Sequence, residues 1–165
     1  MFLSLSTAWI IALNILAWPF IQLSLGAIFT RLPRKYFKSS LVWCEWLPWE
    51  RSRKFWKILH INRWKTLLPD GASWFSSGFP KKQLKSSSNN YLQKFMLETR
   101  RGEGSHWVML FCSPIFMIWN PPWAFYIMLS YGILSNVPPI LVQRYNRLRI
   151  QNVLLARNYK KDSLF

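Results

Sequence analysis

Charge is excluded from two long stretches of this chain. Residues 2–30 carry no Asp, Glu, Lys or Arg, and neither do residues 107–143, although the protein has 22 basic and 6 acidic side chains and a net charge of +16. A soluble fold would mix charge with its 51% hydrophobic content along the chain. Here the two are segregated. Residues 31–106 hold 16 Lys or Arg against 5 acids, and the tail from Arg144 holds 6 against 1. Apolar spans joined by basic loops are the pattern of a membrane protein. The whole chain, 1–165, reads as a single membrane domain without an internal repeat.

The first segment, 1–30, exceeds the roughly 20 apolar residues needed to cross a bilayer. A signal-like segment cut near Ser24, Gly26 and Ala27 is the competing reading. It lacks a basic N-terminal flank, so a retained anchor with its N-terminus outside is expected. The basic regions are then cytoplasmic. Within 31–106, Trp43, Trp46, Trp49, Trp56 and Trp64 alternate with Arg and Lys. Amphipathic rings beside cations suit the headgroup zone and anionic lipid. The same mixture can stack single strands, yet no nucleic-acid motif accompanies it, and no nucleic-acid partner is expected.

The segment 31–65 reads as interfacial helices broken at Pro33 and Pro48. Phe55, Trp56, Ile58, Leu59, Ile61, Trp64 and Leu68 recur as one helix that ends at Pro69-Asp70-Gly71. Residues 71–90 read as a loop, with Asn89 or Asn90 capping a helix that starts near Tyr91. The segment 107–143 predicts a Pro-interrupted hairpin turning at Asn120-Pro121-Pro122. Its first arm, at about 21 Å, is short of the roughly 30 Å core, which makes it re-entrant or only partly immersed. Pro138-Pro139 marks a further interruption, and the tail 144–165 predicts a separate basic surface helix. No strand alternation is present. The fold class is mainly α: an N-terminal transmembrane helix, interfacial amphipathic helices and a C-terminal membrane hairpin.

Chemistry concentrates in Glu98-Thr99-Arg100-Arg101-Gly102-Glu103-Gly104-Ser105-His106-Trp107, at the lip of the second uncharged stretch. A neutral imidazole there can act as general base on a hydroxyl attacking a carbonyl. Glu103, three residues before His106, shares its helical face and is expected to orient the ring, with Glu98 two turns away as the alternative. A wetted interfacial histidine is the plainer account, and Gly102 and Gly104 weaken helical register between the groups. Arg101 and Arg144 are expected to clamp a donor phosphate or an oxyanion; solvated headgroup contacts are the alternative. Asp70 and Trp107 complete the expected substrate-contacting set, although Asp before Gly is also a plain turn former. His60 has no acidic neighbour and reads as structural. His60, His106, Cys44 and Cys112 make a poor metal set, and neither a metal nor a cofactor is expected. Each cysteine reads as a small buried hydrophobe, with an acyl-accepting thiol as the alternative.

Several of these motifs together resemble a family. Phe55-Trp56-Lys57, Arg63-Trp64-Lys65 with Asp70-Gly71, Glu98-Thr99-Arg100-Arg101 with Glu103 and His106-Trp107, and Asn136-Val137-Pro138 with Val142-Gln143-Arg144-Tyr145-Asn146-Arg147 resemble the glycosyl-4,4'-diaponeurosporenoate acyltransferases. The similarity spans about Arg31 to Ile150. It implies a small membrane enzyme of carotenoid synthesis that esterifies the primary hydroxyl (C6) of a glycosylated apocarotenoid acid with a fatty acid, giving a staphyloxanthin-type pigment. A fatty acyl donor, either an acyl-coenzyme A or an acyl carrier protein, follows as a partner, and other carotenoid enzymes are possible neighbours. Two alternatives stay open: a non-catalytic scaffold binding anionic lipid in a pigment-making complex, and an acyltransferase for another glycolipid.

Overall fold

The computed structural model describes residues 3, 5–38, 44, 45 and 47–162, with side chains as far as Asn158. Trp43 and Trp46 of the expected interfacial set lie outside the described residues. Those described are largely helical, with no strand among them.

Helix α1 runs Thr7–Arg31, 25 residues, and holds no charge before its final Arg31. Its length is about 37 Å at 1.5 Å per residue. Trp9, Ile15, Leu16 and Phe20 project outward, all more than 60% exposed, as lipid-facing side chains do. It stops at Leu32, whose extended backbone (ψ 134°) is what a following proline imposes. One turn of 3-10 helix follows at Arg34–Phe37 and another at Pro48–Arg51. Short helices α2 (Arg53–Ile58) and α3 (Ile61–Trp64) come next. The single helix expected over 55–68 is therefore divided. His60 adopts left-handed backbone (φ 47°, ψ 33°), and its Nδ1–H donates to the Ile58 carbonyl at 2.8 Å. That local bond stabilises a bend which the apolar recurrence conceals.

Helix α4 spans Asn89–Phe111 and is capped by Ser88, whose Oγ accepts from the Tyr91 N–H at 3.3 Å. The cap is thus one residue before the expected asparagines. The helix passes unbroken through Gly102 and Gly104. A 3-10 segment, Ser113–Ile118, then leads to a turn, and α5 starts at Pro122. The hairpin turns where expected. Its first arm, however, is the end of α4 plus 3-10 helix.

Helix α5 differs more from expectation. It runs 41 residues, Pro122–Asp162, straight through Pro138 and Pro139, so the tail is not a separate helix. Gly132, Asn136, Ile140, Arg144 and Arg147 form its buried stripe. Those contacts with α4 hold the axis where the prolines weaken it. Helices α1 and α5 are both long and apolar enough to cross a membrane.

Polar contacts fasten the bundle at both ends. Near the hairpin turn, the side-chain amides of Asn14 and Asn120 bond reciprocally at 2.7 and 2.8 Å, and Trp119 Nε1 donates to Asn14 Oδ1 at 2.9 Å. At the basic end, Arg144 donates to Glu103 (2.5 Å) and to Glu50, while Arg147 donates to the other Glu103 oxygen (2.6 Å) and to the Cys44 carbonyl (3.0 Å). Glu98 lies between Arg34 (2.7 Å) and Arg101 (2.6 Å). Half of the chain's six acids, Glu50, Glu98 and Glu103, are thus buried against arginines.

Candidate active site

A cavity of about 610 Å³ lies between α1, the 65–82 segment, α4 and α5. Its lining mixes polar groups, among them Lys81, Arg101, Ser105, His106, Asn136 and Gln143, with apolar ones, among them Pro19, Leu23 and Phe29 from α1 and Met109 from α4. The 65–82 segment supplies one part of the lining. Asp70 Oδ2 accepts from the backbone N–H groups of Lys81 (2.7 Å) and Lys82 (3.1 Å), which ties the two ends of that segment together. Gly78 is required within it, because a Cβ there would sit 1.7 Å from the Ala72 carbonyl oxygen.

His106 Nδ1 and Asn136 Oδ1 are 2.9 Å apart. The Asn136 amide nitrogen is committed elsewhere, donating to the Gly132 carbonyl at 2.9 Å and to Ser135 Oγ at 3.1 Å. A carbonyl only accepts, so the amide orientation is set and Oδ1 faces the ring. Nδ1 must then carry the proton, which leaves Nε2 as the basic nitrogen. Burial lowers the His106 pKa below its usual 6.5; the Asn136 bond opposes that shift and the Lys81 charge adds to it. The imidazole is therefore neutral at pH 7. Lys81 is itself pushed down by burial, with Asp70 and Glu98 acting in the opposite direction.

The family model described as glycosyl-4,4'-diaponeurosporenoate acyltransferase matches residues 33–156. Proteins of that name from Staphylococcus aureus strains USA300 and MRSA252 are 32% identical over 138 residues, covering 83% of this chain and 83% of theirs. The chain belongs to this family. No solved structure matches it.

As an acyltransferase, the molecule distributes the expected site residues unevenly. His106, Arg101 and Asp70 all line the cavity. Glu103, expected to orient His106, instead gives both carboxylate oxygens to Arg144 and Arg147. Glu98 is likewise occupied by Arg34 and Arg101. Arg144, expected at a donor phosphate, is 4% exposed and engaged with Glu50 and Glu103. Trp107 stacks on Phe111 and donates to Glu103 at 3.4 Å, on a face of α4 away from the cavity lining. The physical reason is common to these placements. Spacing of three residues puts Glu103 and His106 near one another on α4, but α5 offers arginines to one and an amide to the other.

Asn136, Lys81, Ser105 and Gln143 were not singled out by role from the sequence. A side-chain amide inside an uncharged stretch of helix was the available signal for Asn136, since such groups seek a partner across the helix interface. Lys81 had none, because a loop brings it in. Gly102 matters for close approach: a Cβ there would meet the Gln143 side chain at 3.3 Å and Lys81 Cε at 3.5 Å. Of the interfacial tryptophans, Trp56 is a core residue, its Nε1 donating to the Glu50 carbonyl at 2.6 Å. Cys44 is buried, and burial together with Glu103 pushes its thiol up to about 12. A protonated thiol is a poor acyl acceptor.

Proposed function

We propose that this acyltransferase moves a fatty acyl group from a thioester donor to the primary (C6) hydroxyl of a glycosyl-4,4'-diaponeurosporenoate, giving a staphyloxanthin-type pigment at the bacterial cell membrane. The names of the relatives support the acceptor class. The observation that carries the mechanism is the His106–Asn136 pair, set in a cavity lined by both polar and apolar side chains. Such a mixed lining suits a molecule with a sugar at one end and a polyene at the other. Helix α1, uncharged up to its final Arg31, and the uncharged first half of α5 support the membrane assignment, and the basic regions support a cytoplasmic side.

In this mechanism the sugar hydroxyl attacks the thioester carbonyl carbon while His106 Nε2 takes its proton. Asn136 holds Nδ1–H and so maintains the tautomer, as the third member of a triad does. Lys81 and Arg101 supply positive charge for the oxyanion of the tetrahedral intermediate. Collapse of that intermediate breaks the C–S bond, and the leaving thiolate recovers the proton from the imidazolium. One ester and one thiol result. Glu98, Glu103 and Arg144 serve as the buried ionic frame that positions α4 against α5.

Pigment extracts from cells that make the glycosylated acid, with and without this chain, test the reading by mass spectrometry. A fatty-acyl mass increment is expected with the wild type and absent with His106→Ala at equal membrane abundance. No increment in cells holding both the glycoside and an acyl-donor pool would overturn the acceptor assignment and turn attention to another glycolipid.

A further inference from the structure

A second concavity, of about 520 Å³, lies on the other side of the Lys65–Tyr145 contact from the candidate active site. Two elements build it. The left-handed bend at His60 turns α3 back toward α2, so Arg53 and Lys57 of α2 converge with Arg63 of α3 on one recess. Opposite them, α5 presents Tyr145, Leu148, Arg149 and Asn152, spaced i, i+3, i+4 and i+7 on one helical face. The floor is apolar and aromatic, formed by buried Trp56 and Ile61 with Leu148.

The charge in this recess is uncompensated. No Asp or Glu lines it, and among the described residues no carboxylate pairs with Arg53, Lys57, Arg63 or Arg149. The contrast with Arg144 and Arg147 is sharp, since those arginines are saturated by Glu50 and Glu103. Arg149 and Lys65 both sit against the Tyr145 ring, at 5.8 and 5.1 Å from its centroid, and Tyr145 itself is fixed by its hydroxyl donating to Asn62 Oδ1 at 3.0 Å. Burial lowers the Lys65 pKa, and the Arg149 charge adds to the effect. Like charges held together at a concave surface favour an anionic ligand with several negative groups.

Resting on the acyl-transfer reading above, we propose that this recess binds the phosphorylated head of a coenzyme A thioester, with Arg53, Lys57, Arg63 and Arg149 on its phosphates and the Trp56–Leu148 floor under its nucleoside. The volume falls within the roughly 300–1,000 Å³ of small-molecule sites. A small concavity with an apolar floor and a basic rim favours a nucleotide over a folded carrier protein, which needs a broad face. The recess also shares a wall with the active-site cavity, because Lys65 lines that cavity and covers Tyr145 of the recess. In this proposal the pantetheine arm passes Lys65 toward His106, and the arginines that the sequence pointed to at Arg101 and Arg144 are not needed for the phosphates.

Calorimetric titration of free coenzyme A into the full-length protein, held in phosphatidylcholine nanodiscs, gives the first readout. Arg53→Gln/Arg149→Gln is the variant, since both side chains are exposed and unpaired with acids. Loss of about tenfold in affinity for each arginine is expected. In turnover, KM for an acyl-coenzyme A should rise in the variant with kcat little changed, while the same acyl-pantetheine, which lacks phosphates, should serve wild type and variant equally. Equal coenzyme A affinity in both proteins would overturn the proposal. So would loss of binding to phosphatidylglycerol vesicles with coenzyme A binding intact, which would make the recess a lipid-headgroup site. Use of an acyl carrier protein by a protein that does not bind coenzyme A would also overturn it. If no donor supports transfer to the carotenoid glycoside, calorimetry still decides the recess, and the acceptor reading alone fails.

Discussion

Glu103 and His106 lie three residues apart on one helix, yet they belong to opposite kinds of site. Glu103 is completely buried, and each of its oxygens faces an arginine from α5. His106 has one committed nitrogen and lines a cavity. One polar group has both oxygens taken by arginines; the other has one ring nitrogen bonded, and in the proposed mechanism the second is the base. Polarity in an apolar neighbourhood therefore does not by itself mark a reactive group. What marks it is valence left over after the fold has taken its share.

The largest expected effect tests the saturated side. Glu103→Ala leaves Arg144 and Arg147 buried without their common carboxylate, which should cost about 3–5 kcal/mol and deplete the folded protein. Membrane abundance and thermal unfolding in detergent are the measurements. Normal abundance with lost turnover would reverse the comparison and return Glu103 to the chemistry. His106→Ala should do the opposite, lowering kcat by about 10² to 10⁴ with abundance unchanged.

Asn136 comes next, because it acts only through the ring. Asn136→Ala should lower kcat by up to about 10²-fold, as misoriented groups do. Asn136→Asp should retain the bond to Nδ1–H but raise the imidazole pKa by adding a charge. The wild-type pH profile sharpens this. His106 titrates below 6.5 because it is buried, so kcat should hold through neutral pH and fall only as acid protonates Nε2 below that value. In Asn136→Asp the acid limb should move up. A wild-type midpoint above 6.5 would remove His106 as the base. The smallest effect is expected at Cys44: with the thiol raised to about 12, Cys44→Ala should preserve turnover and cost about 1 kcal/mol in stability. Loss of turnover there would revive a covalent thiol mechanism.

The two long apolar helices were legible because exclusion of charge is a property of each residue, independent of partners. That His106 lines the cavity was foreshadowed by its place as the one imidazole beside an uncharged stretch with acids nearby. The pairings were not, since they depend on which residues of α5 face α4. The i, i+3 relation of Glu103 to His106 held geometrically, and tertiary contacts overrode it. The same reason accounts for Pro138-Pro139: two prolines predict an interruption by local rules, and packing along Asn136, Ile140, Arg144 and Arg147 maintains the helix. Lys81 and the bend at His60 depend on loop geometry, which leaves little trace in periodicity.

The paired prolines have one more effect. Neither nitrogen carries a hydrogen, so the carbonyls of Leu134 and Ser135 lose the partners that the helix would ordinarily give them. Both residues line the cavity, one turn from Asn136 or less. Backbone acceptors of this kind have no rotamers. A ligand hydroxyl that enters beside them meets lone pairs that no side-chain motion can withdraw.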